Sequence, residues 1–282
     1  EENLNLLEGL ALQAAVPAHY VGLQEVLADK MRLDRDLSIA RTIQTNLLPK
    51  ELPRVEGMEI AAFNEPALEI GGDYYDMVRI DEEHLGIAIA DVSGKSIAGA
   101  ILMSSCRSVL RALAPGCIHP AKLLCDLNRI MSEDINEDMF VSMLYMVLNT
   151  STRKVVLARA GHERPLRCRG DGRGFDIIES PGIAVGLADS ETFQDCCNEV
   201  SLELDAGDVV VLYTDGITEA QNADGEEWGL DNLLDSVRAA TRESAGDILS
   251  NVRQRLMRFV GNRPQYDDMT LLVRRALPEN ES

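Results

Sequence analysis

The chain contains no apolar run long enough to cross a bilayer and no secretory leader pattern. It also lacks any C-x-x-C spacing. Its six cysteines (Cys106, Cys117, Cys125, Cys168, Cys196 and Cys197) are scattered, and three fall in apolar helical stretches. They read as small hydrophobes in a reducing, cytoplasmic compartment. Positive charge is scarce: 27 Lys and Arg face 47 Asp and Glu, a net charge of −20. Such a surface repels phosphate backbones and anionic lipid, which argues against nucleic acid and membrane as partners.

Several catalytic signatures are missing as well. No G-x-S-x-G nucleophile elbow occurs, nor the D-x-D of aspartyl-phosphate hydrolases. His162, in GHERPL, has Leu166 where a zinc H-E-x-x-H motif needs its second histidine. A hydrogen-bonding role is expected for it instead. NADGEEWG has Gly225 at the sixth position of an EF-hand-like loop but Ala220 at the first, so it reads as a turn before a helix. Gly94-Lys95-Ser96 imitates the end of a P-loop, but the first glycine would fall at Ile89, inside an apolar strand.

What remains is an ordinary globular chain of 282 residues, with 45% hydrophobic and 26% charged residues. It starts EENLNLL without a methionine, so a fragment of a longer protein is expected. Asn3 to about Pro49 reads as helix, interrupted or kinked at Pro17. Leu23, Val26, Leu33, Leu37, Ala40 and Leu47 fall on heptad a and d positions, with Lys30 and Gln44 as polar a residues. That spacing suggests a short coiled coil and a homodimer through the N-terminal helix, the alternative being an amphipathic helix that lies on its own domain.

After Gly57 the pattern turns to strands and paired helices. HLGIAIAD and DVVVLYTD are apolar on both faces and should be central strands. Helices are expected from Leu102 to Leu113, from Pro120, and over LDNLLDSVRAA and SAGDILSNVRQRLMRFV. Strands are expected at MFVSMLYMVLN, KVVLARAG, FDIIE, VSLEL and MTLLVRR, and a flexible loop at CRGDGRGF. The order does not alternate strand and helix, which argues against a Rossmann-like sheet and suggests α+β layers.

Aspartates cluster at the strand ends. Asp91 and Asp215 close strands, while Asp73 and the pair Asp267 and Asp268 precede strands. In antiparallel sheets, strand ends and strand starts meet at one edge, so these sites can converge. One such Asp usually caps a turn or helix. Several together repel one another unless cations lie among them, and all-oxygen ligation suits Mg²⁺ or Mn²⁺.

EIGGDYYD, IADVSGKS, ARAGHERPL, LYTDGITEA and DDMTLLV, in this order, resemble the bacterial PPM-type metal-dependent serine/threonine phosphatases. The resemblance is to the branch of the sporulation stage II E phosphatase and the stress-response phosphatases of sigma-factor partner switching. It runs from about Ile39 to the C-terminus. ENLNLLEGLALQAA resembles the last helix of a GAF-type sensor, and ARTIQTNLLP the linker joining such sensors to these phosphatases.

The resemblance implies a helical and coiled-coil extension over 1–50 and a phosphatase domain over 51–282. The implied fold is a four-layer αββα sandwich of two antiparallel sheets flanked by helix pairs. Asp73, Asp91, Asp215 and Asp267 would be ligands of two Mn²⁺ or Mg²⁺ ions, together with the Val92 carbonyl. Asp268, where many relatives have Asn, is a second choice. The implied reaction is hydrolysis of phosphoserine or phosphothreonine by a metal-activated water. The implied substrate is a phosphorylated STAS-type anti-sigma-factor antagonist. The chain departs from the pattern at Ser96, usually Gly, and at Ser93, where eukaryotic relatives carry a His general acid. No counterpart of their phosphate-binding Arg is found. The alternative is a catalytically silent module of the same fold that relays a signal or dimerises through its N-terminal helix.

Overall fold

Alternation along two apolar strands sets the architecture of the protein, described here from a computed structural model. The structure describes residues 2–94, 97–136, 138–172 and 174–277, with side chains from residue 24 onward except residue 25. Leu85, Ile87 and Ile89 of HLGIAIAD face one core, and Ala88, Ala90 and Val92 face another. Val210 and Leu212 of DVVVLYTD share the first of these cores, while Val209, Val211 and Tyr213 line a third. Successive side chains of a strand point to opposite sides, so each strand separates two apolar layers.

The chain divides into two units, Glu1–Thr45 and Asn46–Ser282. The first belongs to one helix, α1 (Glu2–Leu47), of 46 residues. The expected break at Pro17 does not end it. A proline forfeits its own N–H bond, and an otherwise regular helix can run on past it. Val26, Leu33, Ile39 and Ile43 are exposed on α1. Leu23, the first heptad position, lies outside the described side chains.

In the second unit the strands are β1 (Met58–Glu65), β2 (Tyr74–Arg79), β3 (His84–Val92), β4 (Val141–Asn149) and β5 (Lys154–Ala160). They continue with β6 (Leu166–Cys168), β7 (Phe175–Ile177), β8 (Val200–Glu203), β9 (Val209–Tyr213) and β10 (Met269–Ala276). The helices are α2 (Ile97–Leu113), α3 (Pro120–Met131), α4 (Ser190–Cys196), α5 (Asp215–Thr218), α6 (Gly229–Ala240) and α7 (Ala245–Val260). One five-stranded sheet runs β1-β10-β9-β6-β7 and the other β2-β3-β4-β5-β8. All named strand pairs are antiparallel. β3 and β9 are both interior strands, as their two apolar faces require.

The layers are α2 and α3, the β3 sheet, the β9 sheet, then α6 and α7. The fold is therefore a four-layer αββα sandwich. Pro120 occupies the first turn of α3, where its missing N–H costs nothing. A buried carboxylate ties α2 down. Asp76 accepts from Arg111 Nε and Nη2 at 2.6 and 2.7 Å, from the Tyr74 hydroxyl at 2.6 Å and from its neighbour's N–H at 2.8 Å. CRGDGRGF forms the turn from β6 to β7, with Arg173 outside the described residues.

Candidate active site

Register brings the aspartates together. Tyr74 pairs with Ala90 across β2 and β3, so Asp73 stands beside Asp91 at one end of the first sheet. Leu271 pairs with Tyr213 across β10 and β9, which sets Thr270 beside Thr214 in the second sheet. By the same alternation Asp73, Thr214 and Thr270 lie on the faces the sheets turn toward each other. The hydroxyls of Thr214 and Thr270 both donate to Asp73 Oδ2, at 2.8 and 2.6 Å. One carboxylate oxygen thus spans the two sheets.

Two loops complete the site by approaching at backbone distance. A Cβ on Gly72 would stand 2.7 Å from the Val92 carbonyl and 3.3 Å from Asp91 Oδ1. A Cβ on Gly216, next to Asp215, would collide with the Asp268 carbonyl and stand 3.2 Å from Asp267 Cβ. Glycine is needed at both places for steric reasons. Asp73, Asp91, Val92, Asp215 and Asp267 therefore gather at one end of the sandwich, with Asp73 and Val92 buried and the other three half-exposed.

Asp268 is directed elsewhere. Its Oδ1 accepts from Ala67 N–H at 2.7 Å, and its Oδ2 from Gly72 N–H at 2.5 Å and Asp73 N–H at 3.4 Å. It ties the loop leading to β2 onto the start of β10. Charge-assisted bonds to backbone N–H groups are strong and hold the loop firmly.

Among the described residues, the electrostatics are those of a site short of positive charge. Asp73 is 4% exposed, and burial pushes its pKa well above the usual carboxylate range. The neighbouring charges of Asp91 and Asp268 push the same way, while the two threonine donors pull it back. Glu219, just beyond α5, is raised by desolvation and by the charges of Asp215, Glu227, Asp267 and Glu163. Among the described residues, no three His, Cys, Asp or Glu side chains stand close enough to surround an ion as they are. The donor set still fits a hard divalent cation: it consists of carboxylate oxygens and one backbone carbonyl, with no sulfur or imidazole.

His162 sits behind this end. It is buried, and its Nδ1 lies 2.8 Å from the hydroxyl of Ser142, the residue paired with Asp91. Burial, with the Arg159 charge, lowers its pKa to about 3 against the opposing pull of a Tyr213 backbone contact, so the ring is neutral. Ser93 Oγ accepts from the Phe140 N–H at 2.8 Å and its own N–H reaches the Phe140 carbonyl, so it extends the ladder. Lys95 and Ser96 lie outside the described residues. NADGEEWG is a turn before α6, in which Asn222 Oδ1 accepts two backbone N–H groups. Sequence reading missed Thr214 and Thr270. Their adjacency to Asp215 and to the Asp267–Asp268 pair was the available signal.

The profile of the family described as Stage II sporulation protein E (SpoIIE) matches residues 81–276. The chain belongs to the SpoIIE family. It is 30% identical over 248 residues to phosphoserine phosphatase RsbU of Bacillus subtilis (strain 168), covering 87% of this chain and 71% of RsbU. It is 24% identical to phosphoserine phosphatase RsbP of the same organism over 67% of this chain, but spans only 47% of RsbP. The SiaA-PP2C domain of Pseudomonas aeruginosa superposes with a TM-score of 0.76 at 22% identity, over 88% of this chain and 98% of that one. RsbX, solved in complex with magnesium, shares the fold with a TM-score of 0.58 at 13% identity, over 79% of this chain and 98% of that one. This SpoIIE-family chain is thus a protein-serine/threonine phosphatase of the PP2C, or PPM, type. The family match begins after Asp73 and includes the other sequence-derived site residues.

Proposed function

We propose that this SpoIIE-family phosphatase uses two divalent cations, Mn²⁺ or Mg²⁺, to hydrolyse phosphoserine or phosphothreonine on a protein substrate. The observation that carries the reading is Asp73: buried, held by two hydroxyls across two sheets, and without a cationic partner among the described residues. A buried carboxylate in that state is costly, and a bound cation relieves the cost. Asp73, Asp91, Asp215 and Asp267, with the Val92 carbonyl, would hold the ions, and Asp268 would set the loop that carries Asp73. Ions held there supply a water of lowered pKa and neutralise charge building on the phosphoryl oxygens.

The chain's own groups divide the remaining work. Thr214 and Thr270 fix the orientation of Asp73, so the carboxylate needs little rearrangement on loading. The half-exposed Asp91, Asp215 and Asp267 leave the site open to a phosphorylated side chain. The neutral ring of His162 braces Ser142 beside Asp91.

The substrate class that fits the family resemblance is a phosphorylated STAS-type anti-sigma-factor antagonist, in the cytoplasm. A second copy of this chain would pair along α1, where Val26 and Leu33, both heptad d residues, are 66% and 54% exposed. The reaction is tested with a phosphoserine protein or a generic phosphate ester and added Mn²⁺. Turnover should require the metal and fall about 10³-fold in Asp91→Asn and Asp215→Asn. Absence of metal-dependent turnover would leave the silent binding module as the correct reading. For pairing, Val26→Glu with Leu33→Glu should turn dimer into monomer by light scattering. A monomeric parent chain would remove that part.

A further inference from the structure

Arginine supplies 22 of the 27 cationic side chains of this acidic chain, and two of them hold buried carboxylates. Arg111 holds Asp76, and Arg167 holds Asp208. Three arginines at the other end of the sandwich do not follow this pattern. Arg54, Arg79 and Arg153 line one depression of about 410 Å³, together with Thr150, Ser151 and Glu56. Arg79 reaches only the Glu82 carbonyl, at 3.4 Å. The side chains of Arg54 and Arg153 have no hydrogen-bond or ion-pair partner among the described residues. Glu56 is the one carboxylate in the lining.

Two further observations point the same way. Arg153 has φ +60°, the only non-glycine residue at positive φ among those described. It closes the β4–β5 hairpin, where Asn149 Oδ1 gathers the N–H groups of Ser151 and Thr152 at 3.1 and 2.7 Å. Glycine or asparagine ordinarily takes such a position, and a long side chain there costs on the order of 1 kcal/mol. The second observation is Arg274. It is fully buried on the inter-sheet face of β10, and its Nε and Nη1 have no hydrogen-bond partner. Its charged neighbours are Arg153, which disfavours its charge, and Asp208, which favours it. Burial lowers its pKa to about 10, so it remains a cation at neutral pH and adds to the field at this end.

We propose that this depression is a second anion site, binding a phosphate-class oxyanion, free or carried on a polypeptide. Planar guanidinium forks with a neighbouring hydroxyl match phosphate oxygens, and three clustered cations favour a dianion over a single carboxylate. The site is separate from the aspartate centre. Asp73 precedes β2 and Arg79 ends it, so about 20 Å of strand lies between them. Because Arg54 follows α1 in the chain and Arg153 belongs to the hairpin, a bound anion would clamp the segment at Val55–Gly57 onto β4 and β5.

The test uses the whole chain, freed of metal with a chelator so that the aspartate centre repels anions. Thermal unfolding is followed while inorganic phosphate is titrated against sodium chloride of matched ionic strength. Phosphate should raise Tm saturably and chloride should not. In Arg79→Gln and Arg153→Gly the apparent Kd should weaken about tenfold or more. Arg153→Gly should keep or raise the anion-free Tm, because glycine accepts this φ, so loss of binding there is not loss of fold. Asp91→Asn should keep the phosphate response. An unchanged response in both arginine variants, the same rise with chloride, or loss of the response in Asp91→Asn overturns the proposal. A phosphoserine peptide that binds more tightly than inorganic phosphate assigns the anion to a protein chain, and equal binding assigns it to a free ion.

Discussion

Asp73 and Asp76 stand three residues apart, both buried and both hydrogen-bonded, yet they do opposite things. Asp76 meets the Arg111 guanidinium with both oxygens and has the Tyr74 hydroxyl and a backbone N–H besides. Its charge is matched within the protein. Asp73 has two neutral hydroxyls on one oxygen and other carboxylates nearby. Its charge is matched by nothing described in the chain. Burial alone does not separate a structural carboxylate from one proposed to bind a cation; the sign of what surrounds it is the basis of the proposal.

Four substitutions or conditions break or sharpen that contrast. Asp73→Asn has the largest expected effect: activity should fall about 10³-fold, while the metal-free protein gains about 1 kcal/mol because an unmatched charge is gone. A drop in metal-free Tm would show that Asp73 is structural after all. Next comes pH, read through a third buried group at this end, the neutral ring of His162. Its folded pKa, about 3, lies below the ordinary value of 6.5, so the unfolded chain binds the extra proton between those values. Stability should be full above about pH 6.5 and erode by up to about 4 kcal/mol as pH falls toward 3. His162→Asn should flatten that slope in acid-titrated denaturant melts.

Asp76→Asn should then cost about 2 kcal/mol of stability, since Arg111 is partly exposed and can turn to water. The remaining folded molecules should keep their turnover number, the reverse of Asp73→Asn. Smallest is Thr270→Val, which removes one of the two donors to Asp73. About tenfold weaker metal activation is expected, with little change in substrate KM. An equal loss in KM would argue that the threonine touches substrate.

The sandwich and the gathering of aspartates were legible because strand alternation and antiparallel pairing are dictated by apolar patterning. Asp91 lies at the end of β3 and Asp215 just past β9, and both faces of these strands are already committed to cores. The roles of Thr214 and Thr270 were not legible, because a threonine in a strand, like Thr270, or at a helix N-cap, like Thr214, is ordinary. Asp268 was ambiguous for a related reason. A carboxylate that ties down a loop and one that faces a cation look identical in sequence, and only the positions of the Ala67 and Gly72 N–H groups separate them. Pro17 suggested a break that long-range continuity of α1 overrode. Short elements such as β6 and α4 carry too few residues for a period to show.

The crossing of Thr214 and Thr270 to Asp73 has a consequence for control. The proposed reacting centre belongs to neither sheet alone and exists only while the two are in register. A slide of one sheet past the other by a fraction of a strand step would dismantle it without unfolding anything. If the proposed site is the catalytic one, turnover would gauge the alignment of the two sheets, and a force that shears the sandwich would act as a brake.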